Sequence, residues 1–520
     1  MILTPQQVAR NTILNAGSLF SNVVTAVALS VIMARNLGPS GMGLYSYVAW
    51  IIGLLTVLAT LGLPDTITKY VSELRERGHL ASARAITVRT IRLVLVLSLV
   101  VVIAAVALSF ATGFPLPALH LVPWLLLTIP LALQQALSAV LMGLHRYGTL
   151  AMASLGSGCT QIVFVLAAVR FQGGVVAMLF ALLAGVSVGA MVMLLSVSRA
   201  MRPVQTTAPI SEATERAVRR SRRFAISLGY IVFLDLIVWQ RSEVLFLQHF
   251  SPLAEVAIYS IAFVLASRLG GVVEPFAAIL MPLSSAAYGR SGYRELAGIY
   301  TRSVTYLQIV IAPTCMLAVV LARPFILLLY GTRYVSIVPV FQVLVFALAV
   351  TAVAAPANGI LYALEEYRFL VRYETVIAIA ILLLDIILIP RYGSLGAAVA
   401  NSAAQIAAVV LTQVYVTRLI RCTYPWKVTI EIYGSALLAA ALVALAVSLD
   451  AGLAVLVVVA ACGIALYAAL LVFRFRLLAD YELQLLKGLF SRASAGTYPI
   501  DSGPQGSPLT ARPLDNVIGE

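Results

Sequence analysis

Two arginines, Arg241 and Arg268, lie inside long apolar segments of the sequence. We predict the seventh and eighth membrane spans at Phe224–Leu247 and Glu255–Leu283, which place Arg241 in the outer half of the seventh and Arg268 near the middle of the eighth. A cation at the centre of a bilayer costs about 2.5–3.5 kcal/mol on the insertion scale, so each arginine requires a wet cavity or a partner. Because a guanidinium binds phosphate oxygens through two parallel hydrogen bonds, both are candidates for binding an anionic group.

Four acidic residues lie in or beside such apolar segments: Asp235, Glu243, Glu274 and Asp385. The first three are close enough in sequence to the arginines to form structural ion pairs with them, which is the alternative to anion binding. All four are also candidates for a site that binds a coupling ion, H⁺ or Na⁺. No other cofactor is expected.

The first predicted span carries a stripe of small polar residues on one helical face, because their spacings are three, four and three: Asn15, Ser18, Asn22 and Thr25. Such a stripe either lines a polar cavity, where it would contact a substrate, or forms hydrogen bonds between helices. Further candidates for lining a cavity are Gln134, Gln135, Asn358, Asn401 and Gln405.

Composition defines the class of protein. The 520 residues are 61% hydrophobic and 11% charged, whereas soluble domains are roughly 45–50% apolar and about 25% charged. Because so little charge cannot cover a water-facing surface, we predict an all-α polytopic membrane protein with about fourteen transmembrane helices. Soluble enzymes and nucleic-acid binders are excluded, and the net charge of +14 is assigned to topology and lipid contact.

No catalytic or metal-binding pattern is present in the sequence. The four cysteines form no CxxC pair, and no two histidines stand at metal-ligand spacing. Paired carboxylates in a water-facing segment and a phosphate-cradling glycine loop are also missing. We therefore expect a transporter without catalytic residues or a metal, not an enzyme.

The basic residues predict the orientation. If the N-terminus is cytoplasmic, the inner connections hold most of the arginines and lysines, including the cluster at 216–223, and the outer loops hold few. This asymmetry predicts a multi-pass protein with both termini in the cytoplasm. The residues from Arg492 to Glu520 are rich in Gly, Pro and Ser and are predicted to be a disordered cytoplasmic tail.

An internal repeat divides the chain. Similar segments recur at offsets of 214 and then 220 residues, as in the pairs Tyr45 and Tyr259, Gly78 and Gly292, Leu141 and Leu361, and Gly173 and Gly393. Both copies begin on the same side, so we predict two parallel six-helix repeats that form two lobes, plus an extra C-terminal helix pair. The predicted domains are an N-terminal lobe (1–200), a basic cytoplasmic linker (201–223), a C-terminal lobe (224–418), the extra helix pair (428–476) and the tail (477–520).

The stretch MARNLGPSGMGLYSYVAW resembles the opening of polysaccharide transporters of the multidrug/oligosaccharidyl-lipid/polysaccharide flippase superfamily. Their first outer turn reads R-x-LG-P-x-x-x-G-x-Y, which is matched here by Arg35, Leu37, Gly38, Pro39, Gly43 and Tyr45. RSEVLFLQHFSPLAEVAIYSIAF and RPFILLLYGTRY are similar to later parts of that family. The similarity extends over nearly the whole chain up to the tail.

The resemblance implies a flippase that translocates a polyprenyl-diphosphate-linked oligosaccharide across the cytoplasmic (inner) membrane for cell-surface polysaccharide biosynthesis. The two lobes would alternate access around a central cationic cavity. Implied partners are this lipid-linked oligosaccharide, membrane lipid, and the polysaccharide polymerase and other assembly proteins, with no nucleic acid. We expect the extra helix pair to hold the long lipid tail.

Three alternatives remain at this point. Lipid II flippases also have fourteen spans, but they carry a basic residue in the first helix that this chain lacks. Ion-coupled drug exporters of the superfamily typically have twelve spans and an acidic residue in the first helix, whereas none occurs between Ile13 and Ala34. Membrane glycosyltransferases and polymerases use a large outer loop, and every predicted outer loop here is short.

Overall fold

The computed structural model describes residues 5–76, 80–112, 124–201, 241–271, 273–449 and 452–474. Within these residues the chain is helical with short connections and has no strand, as expected for apolar segments that must satisfy their backbone groups internally in lipid. We number the helices in chain order: α1 Pro5–Thr60, α2 Leu63–Glu76, α3 Leu80–Thr112, α4 Thr128–Gly143, α5 Tyr147–Arg170, α6 Gly174–Ala200, α7 Glu243–Phe250, α8 Leu253–Gly270, α9 Glu274–Ser291, α10 Tyr293–Tyr330, α11 Ile337–Thr351, α12 Ala354–Ala363, α13 Tyr367–Leu419, α14 Trp426–Ser448 and α15 Leu453–Ala469.

The described residues contain ten helices long and apolar enough to cross a membrane, or eleven if α11 and α12, bent by 46°, form one span. The prediction of an all-α polytopic membrane protein is confirmed. The number fourteen stays a prediction, because α1 and α13 each contain two segments and the seventh predicted span begins outside the described residues.

Two long helices are each broken by a glycine in the left-handed region. Gly38 in α1 has φ of 69° and Gly393 in α13 has φ of 54°, a region that glycine adopts without steric cost. At the second break, the backbone N–H of Ser394 donates to Oε2 of Glu255 at 2.9 Å. Thus α1 contains the first predicted span, Ile13–Ala34, and most of the second, Gly41–Leu63. Likewise α13 contains the eleventh, Tyr373–Ile389, and the twelfth, Leu395–Val416.

The eighth predicted span, Glu255–Leu283, is wrong as a single helix. The structure ends α8 at Gly270 and begins α9 at Glu274. Two consecutive glycines weaken the helix at 270–271, and the proline that follows Glu274 favours a helix start there. As a consequence Arg268 lies in the last turn of α8 rather than in the middle of a span.

The internal repeat is visible in the backbone. His145 and Glu365, which are 220 positions apart, occupy the same left-handed turn with φ of 54° and 57°. At the same offset, α5 begins at Tyr147 and α13 begins at Tyr367. The two halves therefore repeat helix starts and turns as well as sequence.

The first repeat contacts the second mainly through α1 and α8. Gly43 in α1 is essential to this contact, since a Cβ atom there would lie 1.8 Å from the carbonyl oxygen of Leu253. Around this crossing the buried core includes Tyr47, Tyr259 and Leu247. A glycine at the crossing lets the two backbones approach closely, as is common between membrane helices.

The extra helix pair contacts the second repeat. The Tyr433 hydroxyl of α14 donates to the carbonyl of Ala349 in α11, and the Tyr467 hydroxyl of α15 donates to the carbonyl of Ile309 in α10 at 2.8 Å. Residues up to Tyr467 form one compact unit. The second unit, from Ala468, is described through the end of α15 and the short π-helical segment Leu470–Arg474.

Candidate functional site

Two carboxylates are buried near one another where α7, α8 and α13 meet. Glu243 is the first residue of α7 and is 1% exposed, and Asp385 of α13 is 0% exposed. Their charges act on one another, and both act on the hydroxyl of Tyr259 in α8, which is also fully buried. Of the four acidic residues that the sequence suggested for ion coupling, the structure brings these two together.

A pair of amide side chains on α13 extends from the Glu243 carboxylate. Asn401 Nδ2 donates to Glu243 Oε1 at 2.6 Å, and Gln405 Nε2 donates to Asn401 Oδ1 at 2.8 Å. One helical turn separates the two amides, so they stack on the same face of α13. Asn401 is 3% exposed, and its two polar atoms are both used in this chain of hydrogen bonds.

Several polar atoms in the same place are buried without a hydrogen-bond partner among the described residues. They are both carboxylate oxygens of Asp385, Oε2 of Glu243 and the hydroxyl oxygen of Tyr259. The Tyr259 hydroxyl and the Glu243 carboxylate are outside hydrogen-bond geometry but close enough to interact with each other, whereas Asp385 has no polar neighbour that close among the described residues and acts on these two groups through its charge. A buried carboxylate in this state is strongly unfavourable unless a proton or a cation is bound to it. The arrangement is therefore suited to taking up a small cation.

Arg241 lies beside this cluster, two residues before Glu243. Its backbone is in the left-handed region, with φ of 61°. The guanidinium carbon lies 5.5 Å from the ring centroid of Phe263, at the distance of a cation–π contact. Its charge also acts on Glu243 and Tyr259. Arg241 therefore stacks on Phe263, and its charge acts on the buried carboxylate cluster.

The other predicted site residues lie elsewhere. Arg268 and Glu274 are both exposed, on either side of the turn from α8 to α9. Thr25 is half-buried and faces α5, where a Cβ atom at Gly158 would lie 3.0 Å from its Oγ1. The side chains of Asn15, Ser18 and Asn22, and the whole of Asp235, lie outside the described residues.

A cavity of about 590 Å³ lies between α8, α9, α11, α12 and α13. Most of its lining is apolar, and its polar side chains are Thr351, Asn358, Tyr362 and Gln405. Oδ1 of Asn358 is buried without a hydrogen-bond partner among the described residues. Because Gln405 also bonds to Asn401, one side chain reaches both this cavity and the amide pair that leads to Glu243.

A second cavity, of about 680 Å³, lies between α10, α11, α13 and α14. Its polar wall is satisfied internally: Gln308 Nε2 donates to the Tyr424 hydroxyl at 2.8 Å, and Thr429 Oγ1 donates to Gln308 Oε1 at 3.0 Å. Gln413 accepts from the Tyr300 hydroxyl. The remaining surface is largely aliphatic and aromatic, which suits an apolar guest.

At the end of the bundle that carries Arg35, three sets of hydrogen bonds join the repeats; we call this the inter-repeat contact. Arg35 donates from Nε to the Leu329 carbonyl at 2.7 Å and from Nη2 to the Leu328 carbonyl at 2.5 Å. The Tyr334 hydroxyl donates to the carbonyl of residue 34 at 2.8 Å. The Ser30 and Tyr330 hydroxyl oxygens lie 3.1 Å apart. These bonds close the two repeats against each other at this end.

Sequence reasoning missed two parts of this arrangement. In the sequence, Tyr259 is only a marker of the repeat and Arg35 only part of a motif, because their partners are distant in sequence. Asn401 and Gln405 were named as lining residues, and their spacing of four was the available signal that they stack on one helix face. Among the described residues, no group of three or more His, Cys, Asp or Glu side chains could hold a metal ion.

A family profile described as polysaccharide biosynthesis protein matches residues 8–288 of the chain. No curated protein sequence matches this chain significantly. Among solved structures, it is similar to "Lipid II flippase MurJ, inward closed conformation", with a TM-score of 0.67 and 14% identity, covering 89% of this chain and 99% of that one.

Two other similar structures are of MATE transporters. For an inward-facing multidrug resistance MATE family transporter of the MOP superfamily, the TM-score is 0.59 at 14% identity, covering 77% of this chain and 96% of that one. For a MATE in the bent conformation, the values are 0.53 and 14%, covering 80% and 95%. At these identities the likeness establishes the fold, which this chain shares with the lipid II flippase and MATE transporter structures.

Proposed function

This chain belongs to the polysaccharide biosynthesis protein family, and we propose that it is a flippase for a polyprenyl-diphosphate-linked oligosaccharide. It would act in the cytoplasmic (inner) membrane, with both termini in the cytoplasm, and supply cell-surface polysaccharide biosynthesis. The observation that carries this proposal is that the family match coincides with a MOP-type bundle built of two repeats. The same family and fold are those of transporters, which is the basis for proposing transport rather than catalysis.

Alternating access follows from the way the repeats meet. The asymmetry of basic residues assigns the Arg35 end of the bundle to the outside of the membrane. The inter-repeat contact then closes the outer side, and the substrate head would enter from the cytoplasm. Release to the outside requires Arg35 and Tyr334 to leave their carbonyl partners so that the repeats separate.

Coupling to an ion is assigned to Glu243 and Asp385. Their burial, their mutual electrostatic interaction and their unpartnered oxygens support uptake of one H⁺ or Na⁺ between them. Arg241 would serve as the counter-charge when that site is empty, because it already acts on Glu243. Arg268, which is exposed beside the turn after α8, is the better placed arginine for contacting the diphosphate.

The polyprenyl chain requires an apolar path along the protein. We assign it to the 680 Å³ cavity beside α14, whose polar groups are already paired with one another and whose free surface is apolar. On this assignment the tail would lie between the second repeat and α14, the first helix of the extra pair. Polysaccharide polymerase and other assembly proteins would receive the flipped product outside.

The proposal is tested by reconstituting the purified full-length protein in liposomes. A polyprenyl diphosphate bearing a fluorescent oligosaccharide is placed in the inner leaflet, and its appearance outside is followed with a membrane-impermeant quencher. Flipping above that of protein-free liposomes is expected. Lipid II and a cationic drug serve as the alternative substrates. Transport of either of them, with no transport of the oligosaccharide lipid, would overturn the assignment in favour of that substrate.

A further inference from the structure

The cavity beside Asn358 has the chemistry of a sugar site. It offers the unpartnered Oδ1 of Asn358, the amide of Gln405 and the aromatic ring of Tyr362, which is 38% exposed, within a mainly apolar wall. Amides donate to and accept from hydroxyl groups with little charge cost, and an apolar pocket with a few polar groups fixes the orientation of a ligand. A volume of about 590 Å³ accommodates sugar residues of a glycan head.

The same cavity is connected to the buried carboxylates by a directional chain of hydrogen bonds. Gln405 donates to Asn401, and Asn401 in turn donates to Glu243, at 2.8 Å and 2.6 Å. The bond to Glu243 is short, as expected for a donor that faces a charged acceptor. Because Asn401 is held by Gln405 on one side and by Glu243 on the other, a change at either end is felt at the other end.

We propose that Gln405 couples occupancy of this cavity by the glycan head to cation loading at Glu243. When Gln405 turns to a sugar hydroxyl, Asn401 loses the donor that orients it, and its bond to the Glu243 carboxylate weakens. The carboxylate is then free to take up H⁺ or Na⁺. By thermodynamic linkage, a loaded Glu243 favours binding of the glycan to the same extent. This inference rests on the proposed flippase function.

Besides Asn401, the groups that act on Glu243 in the described chain are Arg241, the Tyr259 hydroxyl of α8 and Asp385 of α13. All three interact with the carboxylate electrostatically, and none of them lines the 590 Å³ cavity. Gln405 is thus the one described polar residue that belongs both to the cavity lining and to the hydrogen-bond chain. It acts through Asn401 and is a positioning residue.

The experiment measures binding of the fluorescent oligosaccharide lipid to the full-length protein in lipid nanodiscs, at acidic and alkaline pH and with or without Na⁺. In the wild-type protein the affinity should change with cation load by about tenfold, within the usual range of coupling between two sites. Gln405→Met keeps the length of the side chain but removes its hydrogen bonds. We expect this variant to bind the lipid several-fold more weakly, with less than about twofold dependence on cation load.

Asn358→Leu is the matched control, since it removes a polar group from the cavity that has no part in the chain to Glu243. Its affinity should fall while the cation dependence stays at the wild-type value. Gln405→Asn, which keeps the amide on a shorter side chain, should recover part of the dependence of lipid affinity on cation load.

A Gln405→Met protein with wild-type cation dependence overturns the proposal, as does a wild-type protein that binds the lipid equally at every cation load. Wild-type protein that neither binds nor flips the lipid contradicts the flippase function itself, and the inference falls with it.

Discussion

Arg35 donates from Nε to the carbonyl oxygen of Leu329 at 2.7 Å, although 294 positions separate the two residues in sequence. The acceptor lies at the C-terminal end of α10, where carbonyl groups have no partner within the helix. A guanidinium that binds two such carbonyls also interacts favourably with the negative end of the helix dipole. A residue of the first repeat therefore caps a helix of the second.

Removing this cap should open the end of the bundle that we assign to the outside. Each bond of a charged donor contributes about 1.5–3 kcal/mol when buried and less when exposed, as Arg35 is. We expect Arg35→Ala to raise the reaction rate of Ser30→Cys with a membrane-impermeant maleimide several-fold, up to about tenfold. The measurement uses a protein whose four native cysteines are replaced by serine.

Arg35→Lys should give an intermediate rate, because lysine keeps the charge but cannot bond both carbonyls in the same fork geometry. Arg170→Ala is the control, since Arg170 is likewise exposed, at the end of α5. Equal rates for Arg35→Ala and the control would contradict the role of the inter-repeat contact.

The crossing of α1 and α8 should tolerate only glycine at position 43. A Cβ atom there would lie 1.8 Å from the Leu253 carbonyl oxygen, so the two backbones would have to separate. We expect Gly43→Ala to lower the free energy of unfolding by at least about 3 kcal/mol, the upper end for overpacking, because backbone atoms cannot rotate away. Thermal unfolding in detergent measures the effect.

Gly53→Ala is the matched control for this substitution, because Gly53 lies in the same helix with no atom within 4 Å of its would-be Cβ. It should leave the protein unchanged or slightly stabilised, since alanine is the better helix former. Similar melting temperatures for the two variants would show that the repeats can separate at this crossing without loss of stability.

The long apolar helices could be predicted from the sequence, whereas the errors lie where a turn interrupts a helix. Apolar runs about twenty residues long predict helices well, and the repeat offsets predicted correspondences such as that of His145 with Glu365. The error at Glu255–Leu283 came from a run that stays apolar across a turn, so hydropathy gave no signal for the glycine pair that ends α8. The spacing of residues along one helix shows which of them share a face, but it does not show which other helix packs against that face.

The same limit explains the candidate site. Glu243 and Asp385 were each recognisable as charges in apolar segments, but they are 142 positions apart and their meeting depends on how α7 and α13 cross. Arg241 and Arg268 were predicted to have one role, whereas the structure gives them different surroundings: a cluster with Glu243 and Phe263 for the first, and an exposed helix end for the second. Burial is a property of the fold, and the sequence carries it only indirectly.

Neutral replacements in the carboxylate pair should uncouple transport from its ion. Glu243→Gln keeps an acceptor for Asn401, and Asp385→Asn keeps the side-chain size, so neither leaves a cavity. We expect both variants to retain binding of the oligosaccharide lipid. The rate of flipping driven by a pH or Na⁺ gradient should fall by at least about tenfold. Flipping is measured by quencher access in liposomes with and without an imposed gradient.

Glu274→Gln serves as the control for this prediction, because Glu274 is exposed and lies at the start of α9. Its response to the gradient should equal that of the wild-type protein. Gradient-driven flipping at the wild-type rate in the Glu243→Gln and Asp385→Asn double variant would remove the pair from ion coupling.

The orientation of the chain follows from its basic residues and is tested by labelling single cysteines in intact cells. We expect positions in the connections at 69–92 and 199–223 to be protected from an impermeant reagent, and positions in 323–333 to react. Permeabilised cells provide the control in which all positions react. Labelling of either basic connection in intact cells would invert the topology and with it the side assigned to Arg35.

Filling the cavity beside α14 should separate recognition of the lipid tail from recognition of the head. Val410 lines this cavity, whereas its neighbour Leu411, which is comparably exposed at 46% against 52%, does not. Tryptophan at 410 would occupy space that an apolar chain needs, and burial of each methylene group of that chain is worth about 0.8 kcal/mol. We therefore expect Val410→Trp to weaken binding of a long-chain polyprenyl diphosphate oligosaccharide by at least about tenfold, which corresponds to the loss of about two buried methylene groups.

Binding of an analogue with a chain of only a few carbons should hardly change, and Leu411→Trp should leave the affinity for both lipids as in the wild-type protein. If Val410→Trp weakens the short and long analogues equally, the cavity does not hold the tail, and the path of the polyprenyl chain must run elsewhere on the bundle.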